Sequence, residues 1–373
     1  PNVSAGADQT ICEGSSATLT SSTMSSYNWS TGATTQSITV SPTSTTTYTL
    51  TGTDANGCEN TDQVTVTVED LPSVSVSSGS STLCSGETVT LSSTVAGGSW
   101  SSSDNSVATV SATGIVTAKS VTTQSTAVIT FTSTANCTGS ITVTVNPELT
   151  ISGTLSATVG GSQPTLLING SPTASASSWS SSDQNVATVD ASTAGKIVPV
   201  AAGTTTITYT DPTTSCQATA TFTVSAAPSI TSTTLEVCED GSLTLTATPA
   251  GGTWSAGSGS IATTSSTSTS STAVYTSSSG GTTPVVTYTK GGVSDQVTVT
   301  VLAPPTIGPS TAVSVCIGDE VTLTGSGTAS ASTPWSSNNT SVATVSNGVV
   351  TGVAAGVATI TYTNNKGCTV TKE

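Results

Sequence analysis

A repeated tryptophan phrase divides this 373-residue chain into five similar segments. In the three clearest copies, Trp-Ser-Ser leads into Val-Ala-Thr-Val, a glycine turn and a threonine-rich run, beginning at Trp100, Trp179 and Trp335. Looser copies begin at Trp29 and Trp254. The spacing of roughly 70–80 residues is too long for a solenoid repeat, whose period is about 20–50 residues. It indicates a tandem array of small, self-contained domains.

The residue pattern inside each copy is that of short β-strands. In the last copy, Ala358, Ile360 and Tyr362 alternate with threonines, which is typical of a strand with one buried face. Asn347-Gly348 favours a two-residue hairpin turn. Short strands with frequent turns predict an all-β fold in which each copy is one β-sandwich. The predicted domains, which we call modules 1 to 5, are residues 1–70, 71–147, 148–226, 227–302 and 303–373.

The junctions between modules are short and contain proline. Pro72, Pro147, Pro228 and Pro304 each follow a closing strand of the type Thr-Val-Thr-Val. Proline cannot extend a strand ladder and stiffens a connection. The sequence therefore predicts five sandwiches in line, forming an extended, semi-rigid rod.

The charge composition excludes several classes of partner. Only 7% of residues are charged, the net charge is −15, and the five basic residues are all lysine. Nucleic-acid binding needs a basic surface, and anionic membranes attract basic segments. No apolar stretch reaches the length of about 18 residues that a membrane helix needs. We expect no nucleic-acid partner and no membrane insertion.

The eight cysteines recur at two places in the modules. The first position precedes the second strand, and the second position lies in the turn before the closing strand. Cys12, Cys84, Cys238 and Cys316 occupy the first position, and Cys58, Cys137, Cys216 and Cys368 occupy the second. Modules 1, 2 and 5 contain both, which predicts the disulfides Cys12–Cys58, Cys84–Cys137 and Cys316–Cys368. Each would close a loop of about 50 residues, stabilise its module by roughly 4 kcal/mol, and require an oxidising compartment outside the cytoplasm.

Two cysteines are left over by this pairing. Module 3 has Cys216 but Val159 where the first cysteine is expected, and module 4 has Cys238 but Val293 where the second is expected. A Cys216–Cys238 bridge is an alternative, but the strands between them would hold the pair tens of ångströms apart unless the chain folded back. The prediction is two unpaired, largely buried thiols.

The inventory of chemical groups predicts no catalytic residue, no cofactor and no metal. Histidine is absent, so the commonest general base is missing, and no Cys-x-x-Cys pair suggests zinc. Calcium is the one metal alternative, because Asp54, Asn56, Glu59 and Asp62 cluster in one turn. Their spacing does not match a calcium loop, and acidic residues are common in solvated turns. An enzyme is not expected.

The tryptophans have two interpretations. A bulky side chain at a fixed strand of every module fits a core anchor, and an exposed row would fit platforms for stacking sugars. The recurring strand context favours the core. The predicted core anchors are Trp29, Trp100, Trp179, Trp254 and Trp335.

The last module has a short closing strand. Only five residues follow Cys368, whereas eight separate Cys137 from Val145 in module 2. Either the sequence ends at a boundary inside a longer protein, or a neighbouring chain supplies the strand. Because the chain starts at Pro1 without a signal peptide, we expect an internal or processed piece of a longer protein.

Two sets of phrases resemble known bacterial repeats. Val-Ala-Thr-Val, Gly-Val-Val-Thr-Gly and Ala-Thr-Ile-Thr-Tyr-Thr, as they stand in module 5, resemble bacterial Ig-like domains of group 2, and modules 2 and 3 carry similar phrases. Module 1, with residues 11–20, 41–50 and 56–59, resembles PKD-like/Ig-like repeats of very large Bacteroidota surface proteins, including gliding-motility adhesins exported by type 9 secretion. Module 4 is the loosest match. The resemblance implies Ig-like sandwiches displayed at a bacterial cell surface.

The sequence thus predicts an extracellular structural or adhesive segment of a bacterial surface adhesin or filament, acting as a disulfide-pinned rod. Its expected partners are neighbouring domains of a longer chain, copies of itself in a fibre, and surface glycans. Two alternatives stay open: an array of glycan-binding modules, and spacer domains of a secreted polysaccharide-degrading enzyme.

Overall fold

The structure, a computed structural model, describes residues 1–173 and 175–373 and is built almost entirely of β-strands. This confirms the all-β prediction. The chain forms two compact bodies, Pro1–Thr150 with Asp211–Gln217, and Ile151–Thr210 with Ala218–Glu373. Every hydrogen-bonded sheet draws its strands from within one of the five predicted modules.

Modules 1 and 2 are two-sheet units. The strands of module 1 are β1 (Gln9–Cys12), β2 (Ala17–Thr20), β3 (Ser26–Trp29), β4 (Ser37–Val40), β5 (Thr46–Thr53) and β6 (Glu59–Glu69). Those of module 2 are β7 (Val74–Ser78), β8 (Thr82–Leu83), β9 (Thr88–Ser93), β10 (Gly98–Ser102), β11 (Ala108–Val110), β12 (Ile115–Ala118), β13 (Ser125–Ser133) and β14 (Thr138–Val145). The sheets are β1-β6-β5-β3 with β2-β4, and β8-β14-β13-β10 with β7-β9-β12-β11.

Modules 3 and 4 repeat this plan with shorter strands. The elements of module 3 are β15 (Ile151–Ser152), β16 (Ser156–Thr158), β17 (Leu167–Ile168), a 3-10 turn (Ala176–Ser178), β18 (Trp179–Ser181), β19 (Ala187–Val189), β20 (Ile197–Pro199), β21 (Gly203–Thr210) and β22 (Gln217–Ser225). The strands of module 4 are β23 (Ser229–Ile230), β24 (Glu236–Cys238), β25 (Ser242–Thr248), β26 (Thr253–Ala256), β27 (Ser260–Ser266), β28 (Ser271–Thr276), β29 (Val285–Lys290), β30 (Val293–Thr298) and β31 (Thr300–Leu302).

Module 5 completes the series. Its strands are β32 (Ile307–Gly308), β33 (Glu320–Thr322), β34 (Thr324–Gly325), β35 (Trp335–Ser337), β36 (Ala343–Ser346), β37 (Val349–Gly352), β38 (Ile360–Thr363) and β39 (Thr369–Lys372). Ser346 pairs with Val349, and Asn347 and Gly348 have φ values of +49° and +84°. The predicted two-residue hairpin turn is therefore confirmed. Glycine at position 348 also lets the turn pack closely against Leu323, because a β-carbon there would meet the Leu323 carbonyl oxygen at 2.5 Å.

One sheet recurs in the modules, and we call it the tryptophan sheet. Across this sheet, the strand that carries the tryptophan comes first and pairs with a central strand. The closing strand of the module follows, and the first strand of the module lies at the other edge, as in β10-β13-β14-β8 and β18-β21-β22-β16. The first strand runs parallel to the end of the closing strand, so Leu83 is opposite Val145 and Val237 is opposite Val301. This parallel pair places the first-position cysteine beside the end of the closing strand.

The cores form where the two sheets of a module face each other. In module 1, Leu19 and Ile38 from β2 and β4 pack with Trp29, Leu50 and Val64 from the tryptophan sheet. Threonines alternate with these residues and face outward. Burying each such aliphatic side chain contributes roughly 1.5–3 kcal/mol, so a module of this size depends on about ten buried residues.

Candidate functional site at the module junctions

The tryptophans lie within the cores of their own modules. Trp29 and Trp179 are 2% and 5% exposed, and Trp100, Trp254 and Trp335 are partly buried against their core clusters. In modules 2 to 5 an aromatic ring of the central strand packs against the tryptophan at centroid distances of 4.7–5.1 Å. Each of these four indoles therefore packs against an aromatic ring of its own module, which fits a core anchor better than a sugar-stacking platform.

The first-position cysteines share one turn. In each case the cysteine carbonyl oxygen accepts a hydrogen bond from the backbone N–H three residues later, at 2.9–3.0 Å. The donors are Ser15, Glu87, Gly241 and Asp319. The residue before each donor has a left-handed φ of +59° to +87°, which explains the frequent glycine there. In modules 1, 2 and 4 this turn fixes the cysteine at the end of the first strand.

The second-position cysteines share another turn. The backbone N–H groups of Asp54, Ser133, Asp211 and Asn364 donate to the carbonyl oxygens of Cys58, Cys137, Cys216 and Cys368, at 2.8–3.0 Å. In three of the four turns the same residue's side-chain oxygen accepts from the cysteine N–H, at 2.9–3.1 Å. Hydrogen bonds from the N–H groups of Cys58 and Asn56 lower the pKa of Asp54, and one from Thr214 lowers that of Asp211. These carboxylates act as acceptors that hold the turn.

Three disulfides join these two kinds of turn across modules. Cys12 is bonded to Cys137, Cys84 to Cys216, and Cys238 to Cys368, with Cα–Cα distances of 5.6, 5.5 and 5.4 Å. Each bond connects the first-position cysteine of one module to the second-position cysteine of the next. The junctions between modules 1 and 2, 2 and 3, and 4 and 5 are thus covalently closed.

The predicted pairs Cys12–Cys58, Cys84–Cys137 and Cys316–Cys368 are therefore wrong. The register of module 1 gives the reason: Cys12 lies opposite Glu69, at the end of β6, whereas Cys58 precedes the start of that strand at Glu59. Ten residues of strand separate the two by roughly 33 Å, far beyond the limit of about 7 Å for a disulfide. The two cysteines of one module lie at opposite ends of it.

The prediction of which cysteines stay unpaired is wrong as well. Cys216 and Cys238 are both bonded, each to a neighbouring module. Among the described residues the free cysteines are Cys58 and Cys316, and both are exposed. Cys58 is a second-position cysteine of module 1, and Cys316 is a first-position cysteine of module 5.

The junction between modules 3 and 4 has no disulfide, and direct packing replaces it. The shared first-position turn begins at Thr158, whose carbonyl oxygen accepts from Gly161, so Thr158 rather than Val159 takes the place of the cysteine. On the other side, β29 and β30 meet in a two-residue turn at Gly291-Gly292. A β-carbon on Gly291 would clash with the Thr158 hydroxyl. Module 3 lacks the first-position cysteine and module 4 lacks the second-position cysteine. The one disulfide that would join these two modules is therefore absent.

The complementary losses were the sequence signal for this pairing. If the bonds lay within modules, the loss of one cysteine from module 3 and of another from module 4 would leave Cys216 and Cys238 without partners. Across modules, the same two losses remove a single bond. The alternative bridge considered from the sequence, Cys216–Cys238, would have joined cysteines that belong to two different bonds.

Polar contacts accompany the disulfides. At the junction of modules 2 and 3, buried Asn146 accepts from Gln124 at 2.9 Å and donates to Cys216 Sγ at 3.8 Å. At the junction of modules 4 and 5, Lys366 Nζ lies 2.7 Å from Glu236 Oε2, with both side chains about half exposed. Such a solvated ion pair contributes little, roughly 0–1 kcal/mol. The covalent bonds are the main restraint at these junctions.

Module 5 contains an open groove of about 400 Å³ with apolar side chains along part of its wall. Val313, Val315, Leu323, Val350 and Ile360 line it, and Val357 at its rim is 71% exposed. The closing strand β39 pairs with β38 on one side, but residues 312–316 form no strand beside it. This groove is the place where the other modules hold the second half of their closing strand.

In module 2 the position that corresponds to this groove is filled by the closing strand. Val143 and Val145, six and eight residues after Cys137, are fully buried between the sheets. Val64 and Val66, Phe222 and Val224, and Val299 and Val301 occupy the same place in modules 1, 3 and 4. The groove therefore has the shape of an extended strand with apolar residues at alternate positions.

No cluster of three or more metal-binding side chains occurs among the described residues. In the turn considered for calcium, Asp54 Oδ1 already accepts from the N–H groups of Asn56 and Cys58 at 2.8 and 3.0 Å. A search of the described helices finds none that is long and apolar enough to cross a membrane.

Comparison with known proteins gives a family likeness for module 5. Residues 306–373 match the family model of the bacterial Ig-like domain (group 2). No match is found among the curated proteins.

Solved structures resemble the chain at low similarity. The surface layer protein SbsC, domains 1–6, is 14% identical over 95% of this chain and 63% of its own, with a TM-score of 0.19. The C-terminal 282-residue fragment of intimin, crystallised with the translocated intimin receptor, is 17% identical over 38% and 61%, with a TM-score of 0.27. The human desmocollin-1 ectodomain is 11% identical over 97% and 96%, with a TM-score of 0.20. The chain thus spans less than two thirds of the SbsC and intimin structures, and likeness at this level carries no functional inference.

Proposed function

We propose that this chain is an extracellular structural and adhesive segment of a bacterial surface protein, in which consecutive β-sandwich modules are locked to one another by disulfides. The observation that carries the proposal is the set of three bonds that cross module junctions. A bond inside a module would stabilise that module alone. A bond between modules restricts bending and transmits tension from one module to the next, which suits a mechanical role.

The location follows from the same bonds. Disulfides form and persist in oxidising environments, outside the bacterial cytoplasm. Residues 306–373 match a bacterial Ig-like domain, which supports the bacterial assignment. We further propose that the chain belongs to a large Bacteroidota cell-surface protein of the gliding-adhesin type, exported by type 9 secretion. This part of the proposal is based on the sequence of module 1 at residues 11–20, 41–50 and 56–59.

Labelling of intact cells tests this proposal. Antibodies raised against modules 1 and 2 should label non-permeabilised cells of the source organism, and a strain without type 9 secretion should lose the label. Labelling that appears only after lysis would contradict an extracellular role. Surface labelling that persists in the secretion mutant would contradict the export route alone.

The groove of module 5 supports a proposal about partners. It accepts an extended strand that carries β-branched residues at alternate positions, as the closing strands of the other modules do. The free edge of β39 and the unpaired segment 312–316 supply backbone hydrogen-bonding groups on both sides. Such strand addition would join module 5 to a neighbouring segment of the same kind.

A further inference from the structure

The disulfide between modules 2 and 3 has a side-chain amide on one of its sulfurs. Asn146 Nδ2 donates to Cys216 Sγ at 3.8 Å, and the two residues are buried, at 2% and 3% exposed. Asn146 Oδ1 accepts from Gln124 Nε2 at 2.9 Å, and the Asn146 backbone N–H donates to the Leu83 carbonyl oxygen at 2.8 Å. These two contacts hold the amide with its N–H group directed at the sulfur.

The corresponding sulfurs of the other two disulfides have different surroundings. The Ala135 carbonyl oxygen lies 4.0 Å from Cys137 Sγ, and a carbonyl oxygen has no proton to donate to sulfur. Within residues 1–173 and 175–373, no side chain donates a hydrogen bond to the sulfur of Cys137 or Cys368. The amide of Asn146 therefore distinguishes the bond between modules 2 and 3 from the other two.

The two sulfurs of this bond differ in access and in charge environment. Cys84 is half-buried, whereas Cys216 is buried, so a thiol from solvent reaches Cys84 Sγ first. The Cys84 backbone N–H donates to Glu87 Oε2 at 2.8 Å, which places a carboxylate beside Cys84. This negative charge disfavours a thiolate on Cys84, and a hydrogen bond from Asn146 favours a thiolate on Cys216. Both effects make Cys216 the better leaving group.

We propose that the Cys84–Cys216 disulfide is a thiol-exchange site, at which a low-molecular-weight thiol attacks Cys84 Sγ and Cys216 leaves as a thiolate stabilised by Asn146. Opening this bond alone frees the junction of modules 2 and 3, while Cys12–Cys137 and Cys238–Cys368 keep their junctions closed. The inference rests on the proposed function, because it identifies the junction at which a disulfide-locked array opens.

The exchange balances in two steps. The small thiolate forms a bond to Cys84 Sγ as the Cys84–Cys216 bond breaks, and the electron pair of that bond goes to Cys216. The product is a mixed disulfide on Cys84, with no net oxidation or reduction. A second small thiol then attacks the outer sulfur of the mixed disulfide and releases Cys84 as a thiolate. The two small thiols supply two electrons and leave as their own disulfide.

Timed reduction of the full chain with 2-mercaptoethanol tests the proposal. A Cys58→Ser/Cys316→Ser background removes the free thiols, and samples are blocked with N-ethylmaleimide and digested without further reduction. Cys84–Cys216 should open about tenfold faster than either other bond, the lower end of what a hydrogen bond to a charged group gives. The first product should carry mercaptoethanol on Cys84 and maleimide on Cys216.

Two variants in that background test the role of the amide. Asn146→Leu removes the donor at similar volume and should slow the opening of Cys84–Cys216 about tenfold, with the other two bonds unchanged. Gln124→Ala, at an exposed position, releases the Asn146 amide and should slow the same bond by a smaller factor. If Asn146 served only packing, its loss would loosen the junction and speed the opening, so the sign of the change separates the two roles.

Equal opening rates for the three bonds, or mercaptoethanol on Cys216 in place of Cys84, would overturn the inference. Unchanged or faster opening of Cys84–Cys216 in both variants would overturn it as well. A digest made before any thiol is added reports on the proposed function separately. If the three bonds are absent there, the proposed function fails, and if they are present but open at equal rates, this inference fails alone.

Discussion

Cys84 of module 2 is bonded to Cys216 of module 3, and Cys84 itself lies within the loop closed by the Cys12–Cys137 bond. The two covalent loops therefore overlap. Module 2 carries one bond to the module before it and one to the module after it. It cannot detach from either neighbour, even when it unfolds.

Overlapping bonds limit how far the oxidised chain can be stretched. Following the disulfides, the shortest covalent path from Pro1 to Glu373 contains roughly 90 residues, or about 300 Å of extended backbone, against about 1,250 Å for the reduced chain. Force spectroscopy of a chain held at its two ends should show these limits before and after reduction. A Cys12→Ser/Cys137→Ser double variant, which removes one bond from the path, should extend further than the oxidised wild type. Equal extension of the oxidised and reduced chains would contradict cross-module bonding.

The junction of modules 3 and 4 can be given the bond it lacks. In the Thr158→Cys/Gly291→Cys double variant, the two β-carbons begin about 3.0 Å apart, close to the range of about 3.5–4.5 Å in disulfides. We expect this variant to form a fourth disulfide under mild oxidation. The left-handed φ of +58° at Gly291 adds some strain. The measurement is peptide mapping without reduction.

The two single variants are the matched controls. Each should show one additional reactive thiol and no new bond. If the double variant keeps both thiols free under oxidation, positions 158 and 291 cannot carry a bond across this junction.

The tryptophan core makes a separate prediction. Trp29 is 2% exposed, and its Nε1–H donates to the Thr35 carbonyl oxygen at 2.9 Å. Replacing Trp29 by Ala should lower the free energy of unfolding of module 1 by about 3–5 kcal/mol, measured by calorimetry. Asn28→Ala, in the same strand but facing solvent, should change it by less than about 0.5 kcal/mol. Equal effects would mean that Trp29 is not a core anchor.

The features that depend on local pattern could be predicted from the sequence. Alternation of Thr with Val, Ile and Tyr predicts strands because side chains in a strand point to opposite faces, and Asn347-Gly348 predicts its turn because both residues tolerate positive φ. The partners of Cys12 and Cys58 depend instead on the parallel pairing of β1 with the end of β6. That pairing is long-range, and no local pattern reports it. The sequence also predicted Val159, instead of Thr158, at the first position of module 3. The turn there contains no cysteine that would mark its first residue.

The groove of module 5 predicts binding of a closing-strand peptide. A peptide with the sequence of residues 139–146 carries the valines that fill the same place in module 2. Added to the full chain, it should raise the unfolding temperature of module 5 and change the fluorescence of Trp335. A control peptide with Val143→Ser and Val145→Ser keeps the backbone donors and acceptors and should have no effect. An equal response to both peptides, or to neither, would contradict strand addition at this groove.

Disulfides between consecutive modules can be detected by mass spectrometry of the oxidised chain, digested without reduction. We expect linked peptides for Cys12–Cys137, Cys84–Cys216 and Cys238–Cys368, with Cys58 and Cys316 recovered as alkylated thiols. Recovery of Cys12–Cys58, Cys84–Cys137 and Cys316–Cys368 would contradict this expectation, because each module would then be closed on itself and the junctions would carry no covalent link.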